Sequence, residues 1–440
     1  MVFRRRCTQR LYLTMCCKNK CNVLHLREKD MSVNADYQSD NIIIMNANRN
    51  EERLWNKEYG KVMCSNFMLF FSFYLLTPLL PIYLAERFEA DKDTIGLVLS
   101  GYVVAALLIR PFSGFIVDTF DRKKVLMSCF FLFFICFAGY LGAATLLLFA
   151  IVRTFHGLPF GATTVANSTV AIDTLPSSRR NEGIGYYGLS NNLAMAIAPS
   201  AGIGLYSLTG DFDLLFWISL IAAGIGFYCT TTVRLPKRLP IQGKPHLSVD
   251  RFFLTRGWLL AINILLFGLC WGVMSNYVAI YGKEVFGITN GTGAFFALLS
   301  IGLVVSRLYG AKSLREGYLS ENAMQGASIS AVGFTLFVLS PGEWAYYLSA
   351  LLIGLGNGRM FPAFLNMFIS VARNDQRGTA NSTILTSWDL GMGLGILFGG
   401  VLIEYAGYTA AFAFTAGSQI AGALLLLFRT RRFFMERRLR

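Results

Sequence analysis

Apolar stretches of about 20 residues recur along this chain from Val62 to Phe428, parted by short breaks rich in charge, Gly or Pro. At 1.5 Å per residue each stretch, wound as a helix, crosses a hydrocarbon core of ~30 Å. Such runs lie near residues 62–84, 95–117, 125–141, 146–172, 183–207 and 213–233. A second set lies near 257–281, 292–311, 321–340, 345–371, 379–403 and 409–429. Backbone groups in lipid must be satisfied within the segment, and no ten-residue alternation of barrel type is visible, so the runs read as helices. The expected fold class is an all-α membrane protein of about twelve spans. Composition agrees: 54% of residues are hydrophobic and 15% charged, where soluble proteins carry about a quarter charged.

The formal charge of +14 has a topological source. When the 40 Lys and Arg are assigned to alternate sides of this map, the great majority fall on the side shared by both termini. The positive-inside rule then places both termini in the cytoplasm. The basic residues are spread over many loops, so no nucleic-acid partner is expected. Cys129, Cys136, Cys229 and Cys270 sit inside apolar runs and form no secreted disulfide framework. Cys17, Cys21 and His25 have the spacing of a metal clip without a convincing fourth ligand, so no metal and no cofactor are expected. Residues 1–60 read as a polar, disordered cytoplasmic tail, with Met31 and Met45 as alternative starts and no signal-peptide core.

The chain resembles itself. At a shift of about 197 residues Arg110 falls on Arg307, Gly157 on Gly354, Gly161 on Gly358, Gly202 on Gly399, and Asn192 on Asp389. This predicts two related six-helix halves, 61–233 and 257–429, joined by a basic, Pro-containing cytoplasmic linker at 234–256 and followed by a basic tail at 430–440. Parallel halves of this kind hold substrate between them.

These residues resemble the major facilitator superfamily from about Lys61 to Arg431. The family's loop motif after the second span, Gly-x-x-x-Asp-Arg/Lys-x-Gly-Arg-Arg/Lys, is met by Gly114, Asp118, Arg122 and Lys123, with Thr119 and Asp121 departing from it. The fourth-span motif is met by Arg153, Gly157 and Gly161, and the fifth-span antiporter motif, softened, by Ala194, Ala198, Pro199 and Gly202. Within the family the chain is most similar to bacterial drug and sugar efflux-like members. The resemblance implies that spans 2 and 11, and spans 5 and 8, pack across the interface of the halves. It implies a cavity lined by spans 1, 4, 7 and 10, and a cytoplasmic latch of Asp118 and Arg122, for which Asp173 is a partner. Apart from the resemblance, the latch residues read equally as solvated loop charges. Pro199 and its small neighbours read either as a hinge or as close packing.

A charge at the centre of a membrane helix costs ~2.5–3.5 kcal/mol, so each asks for a partner or for water. Arg110 lies ~12 Å from the Asp118 end of its span and Asp389 ~15 Å from the start of its own, which predicts an Arg110–Asp389 pair. Its counterpart is Arg307 beside Asn192. Asp389 is a candidate for proton coupling, and equally for a static pair that fixes helix packing. Arg359, with Asn366 two turns on, is expected to face the cavity and hold an anionic group, with Trp271, Asn276 and Tyr277 of the seventh span supplying stacking and polar contacts or, for the aromatics, reading as ordinary packing. Arg153, nearer the other membrane face, either carries protons indirectly or snorkels.

The expected function is secondary transport of a small solute by alternating access, as proton-coupled efflux from a monomer in the cell (inner) membrane. Import or uniport of a sugar or organic anion is the alternative. An enzyme is not expected, because His25, His156 and His246 are scattered and no paired acids lie at the membrane face. A non-transporting sensor would keep the same fold. No phosphate-binding Gly-x-x-x-x-Gly-Lys-Ser/Thr loop is present, so ATP-driven transport within this chain is not expected.

Overall fold

The structure is a computed structural model and describes residues 53–235, 249–286, 291–340 and 342–439. The tail with Cys17, Cys21 and His25, and most of the linker, lie outside the described residues.

Helix α1 (Lys57–Leu76) starts at Asn56, whose side chain accepts the Tyr59 backbone N–H. The apolar run predicts a first span of one continuous helix, yet α1 bends by 44° into α2 (Leu80–Phe88). Pro78 and Pro81 remove backbone donors at the break, which accounts for the bend. Helices α3 (Lys92–Thr119), α4 (Arg122–Leu141), α5 (Leu146–Thr174), α6 (Arg180–Thr209) and α7 (Phe212–Thr232) follow. Asp121, which departs from the loop motif, is the N-cap of α4 and accepts the Lys124 N–H at 2.9 Å.

A short α8 (Val249–Phe252) leads into α9 (Trp258–Phe286), α10 (Gly291–Arg315), α11 (Leu319–Leu339) and α12 (Glu343–Val371). The last two predicted spans fall in α13 (Arg377–Leu425), broken at Gly407, whose φ of 82° and ψ of 171° are open to glycine. α14 (Arg431–Arg437) closes the described chain. Among the described residues nine helices are long and apolar enough to cross a membrane, or ten with α1 and α2 counted as one span. The stretch holding α13 counts once in that number, and α6, rich in Gly, Ser and Asn, is not among the nine.

One buried core draws only on residues of α1–α7 and their connections, another only on α9–α13. A third joins the two sets at one end, with Tyr59, Ile172 and Ile184 against Leu314, Phe364 and Ala380. Between the sets, α3 packs on α13 and α6 packs on α10. The repeated glycines have one cause. A Cβ on Gly157 would stand 2.1 Å from the Tyr102 carbonyl oxygen of α3, and a Cβ on Gly354 would stand 2.1 Å from the Leu299 carbonyl oxygen of α10. Each marks a backbone-to-backbone crossing that lipid, offering no hydrophobic drive, leaves to close packing.

Candidate functional site

The end of α3 is bolted to the start of α13. Asp118, fully buried, accepts the backbone N–H of Gly378 at 2.7 Å, the N–H of Thr379 at 2.7 Å and the Thr379 hydroxyl at 2.9 Å. A carboxylate there meets both the unpaired donors and the positive end of the α13 dipole. Arg122 donates to Asp118 at 3.0 Å and pairs with Asp173, which also accepts from Arg377 at 2.8 Å. The buried, charge-assisted bonds exclude the reading of these residues as solvated loop charges. Gly114 allows the approach, since a Cβ there would lie 2.7 Å from the Ser382 Cβ. Lys123, half-buried, takes no part in these bonds.

Two turns deeper, Arg110 Nη2 lies 3.0 Å from Asp389 Oδ2, both side chains largely buried, so the pair links α3 to α13. The Ser382 hydroxyl, between pair and bolt, donates to the Arg110 carbonyl oxygen at 2.5 Å. Asn381 donates to Thr169 at 2.9 Å and Asn366 to the Asn181 carbonyl at 3.0 Å. Hydrogen bonds joining α1–α7 to α9–α13 thus cluster at this end.

Above the pair lies a cavity of about 500 Å³ between the two helix sets, reached by residues of α1, α3, α5, α6, α9, α10, α12 and α13. Its wall carries Arg110, Arg153, Arg307 and Asp389 among apolar and aromatic side chains such as Tyr102, Phe160, Phe361 and Trp388. Arg153 is buried and does not snorkel. It donates to the Tyr140 hydroxyl at 3.3 Å and lies 4.1 Å over the Tyr102 ring, a desolvated cation–π contact. The Tyr140 hydroxyl also bonds His156 Nδ1 at 2.8 Å.

The expected cavity wall needs correction. Of Arg359, Asn366, Trp271, Asn276 and Tyr277, only Trp271 lines the cavity. Arg359 turns away and donates to Asn322 of α11 at 2.8 Å. Asn276 and Asn366 donate to carbonyls one turn back, Gly272 at 2.9 Å and Pro362 at 3.0 Å, and Tyr277 donates to the Ile396 carbonyl of α13 at 2.8 Å. Polar side chains that satisfy backbone in this way serve the helices and not a ligand. Arg307 and Asn192 do line the cavity, but no hydrogen bond joins them among the described residues. On α6, Ala194 and Ala198 are fully buried and a Cβ on Gly202 would stand 2.3 Å from the Leu75 carbonyl oxygen, so this motif packs α6 on α1. The helix is continuous through Pro199.

One polar cluster escaped the sequence reading. Asn66 of α1 donates to Ser190 at 2.8 Å and accepts from Tyr187 at 2.6 Å and Asn167 at 3.3 Å, tying α1, α5 and α6 together beside the cavity. An Asn inside the first apolar run was the available signal.

The sequence model of the Major Facilitator Superfamily matches residues 62–319 and 323–438. The quinolone resistance protein NorA of Staphylococcus aureus (strain MRSA252) is 23% identical over 387 residues, covering 84% of this chain and 96% of that protein. The staphylopine export protein of Staphylococcus aureus (strain Mu50) is 23% identical over 358 residues, covering 78% and 89%. In structure, the human organic anion transporter MFSD10 superposes with a TM-score of 0.72 at 18% identity, over 84% of this chain and 98% of that one. With a family match along nearly the whole described chain and several helices fit to cross a bilayer, this multi-pass membrane protein belongs to the Major Facilitator Superfamily of transporters.

Proposed function

We propose that the protein exports a small solute across the cell (inner) membrane by alternating access, driven by protons, as a monomer with twelve spans and both termini in the cytoplasm. The two six-helix halves, 61–233 and 257–429, would rock about the cavity. The observation that carries this reading is the Arg110–Asp389 pair, which crosses from α3 to α13 at the floor of that cavity. A proton on Asp389 cancels the attraction across the seam and leaves Arg110 buried without its counter-ion. Losing one partner of a buried pair costs about 3–5 kcal/mol, enough to invert a two-state equilibrium. The name of one relative, an export protein, agrees with outward flux.

Proteoliposomes with an imposed pH gradient test the reading. Solute should accumulate against its own gradient in wild type and merely equilibrate with Asp389→Asn. Accumulation that survives in Asp389→Asn removes the coupling role and leaves the pair a packing device. Equilibration without accumulation in wild type makes the protein a uniporter.

A further inference from the structure

Arg307 is the counterpart of Arg110 in the repeat, and its surroundings differ in one respect. Its side chain is 7% exposed and lies against Gly188 of α6, where a Cβ would stand 2.3 Å from Nη1. Its Nε and Nη1 have no hydrogen-bond partner, as is also true of Arg110, but unlike Arg110 it has no carboxylate paired with it among the described residues. One turn from Gly188, on the same face of α6, Asn192 is also 7% exposed, and its Nδ2 has no partner either. Both line the central cavity. The side chains of Arg307 and Asn192 therefore reach the wall of one chamber from α10 and α6 with donors unpaired. Among the described residues the chamber holds three arginines and one carboxylate, and Asp389 is taken by Arg110.

We propose that Arg307 and Asn192 form a carboxylate-binding subsite, and that the transported solute is an organic monoanion with a flat apolar body. The guanidinium fork receives a carboxylate through parallel N–H bonds, and the Asn192 amide adds a third from the opposite helix. Unpaired buried donors are costly, and an anion relieves that cost where a neutral or cationic solute does not. The apolar body lies along Phe361, Trp388 and Trp271, in a volume suited to a small ligand. At the first seam Asp389 supplies the carboxylate. At the second the chain has Asn192 in its place, and the solute brings the carboxylate, tying α6 to α10 as Asp389 ties α13 to α3. This inference rests on the reading of the cavity as the transport site.

The test compares 2-naphthoate with its uncharged amide, 2-naphthamide, by equilibrium dialysis against the full-length purified protein. The acid should bind about 10- to 100-fold more tightly than the amide, the value of a charge-assisted bond. Arg307→Gln should bring the ratio to near unity, and Arg307→Lys should restore part of it. Asn192→Asp supplies the missing carboxylate from within. It should raise the unfolding temperature while abolishing the preference for the acid, a combination that a damaged fold does not produce. Arg359→Gln, away from the cavity, should leave the ratio unchanged.

Equal binding of acid and amide, or a preference that survives Arg307→Gln, overturns the subsite. If Trp388→Ala then weakens both probes alike, the cavity still stands as the binding site. If neither probe binds at millimolar concentration, the subsite and the cavity reading fall together.

Discussion

The seam of α3 with α13 and the seam of α6 with α10 join helices that correspond in sequence, through the shift of 197 residues that carries Arg110 onto Arg307. Both helix pairs pack, and their charges differ. At the first, buried Asp118 caps α13 and Asp389 neutralises Arg110. At the second, Arg315 stands where Asp118 does and reaches Glu182 only at 3.9 Å, with its side chain 44% exposed, while no carboxylate pairs with Arg307 among the described residues. A carboxylate at a helix N-terminus works with the dipole, whereas an arginine there must find a side-chain acid of its own. One seam closes with the chain's own groups. The other is left to respond to what enters the cavity.

The largest blow to this contrast should come from Asp118→Asn. The amide cannot accept from Gly378 and Thr379 while also satisfying Arg122, so the bolt loses about 3 kcal/mol or more. Hydrogen exchange at Gly378, Thr379 and Ala380 should rise more than 100-fold, and directional transport should fail even though the protein still folds. Protection that stays at wild-type level would show that packing, and not the carboxylate, holds α13.

Of similar size is the exchange of charge within the deeper pair. Arg110→Asp or Asp389→Arg alone buries like charges at 3 Å separation and should cost several kcal/mol. Their combination should recover much of the loss in stability, because the buried seam accepts either polarity. Proton coupling should not return, since the carboxylate would then sit on α3 in a different setting. A double variant no better than its worse parent would mean that the two residues do not interact.

Much of this contrast is legible in the sequence. Intramembrane charges are few, so Arg110 had few possible partners, and the helix pairing left Asp389 at the right depth. The repeated glycines forecast the crossings because Gly157 and Gly354 each meet a carbonyl oxygen that no side chain can approach. Helical rotation was not legible. Span identity and the seven-residue spacing of Arg359 and Asn366 point these residues, with Asn276 and Tyr277, toward the cavity, yet each is drawn elsewhere by an acceptor one turn back or on a neighbouring helix. Such local competition leaves no mark in hydropathy. The bend between α1 and α2 was readable from Pro78 and Pro81 but was hidden by the continuity of the apolar run. The Asn66 cluster draws on three helices and exists only once they are packed.

The smallest expected effect is the most discriminating. Arg315→Gln removes the residue that occupies the Asp118 position in the repeat. If the two seams were equivalent, this change would be as damaging as Asp118→Asn. The contact is long, Arg315 is nearly half exposed, and Glu182 keeps a second partner in Arg179 at 3.0 Å. Exposed pairs of this kind are worth about 0–1 kcal/mol. Stability in a thermal ramp should therefore stay within that margin, and the transport rate should change less than about threefold, with the residual difference shrinking at high salt. A loss as deep as that of Asp118→Asn would mean that the second seam is bolted too, and the asymmetry drawn from its charges would then have to give way to one drawn from its packing.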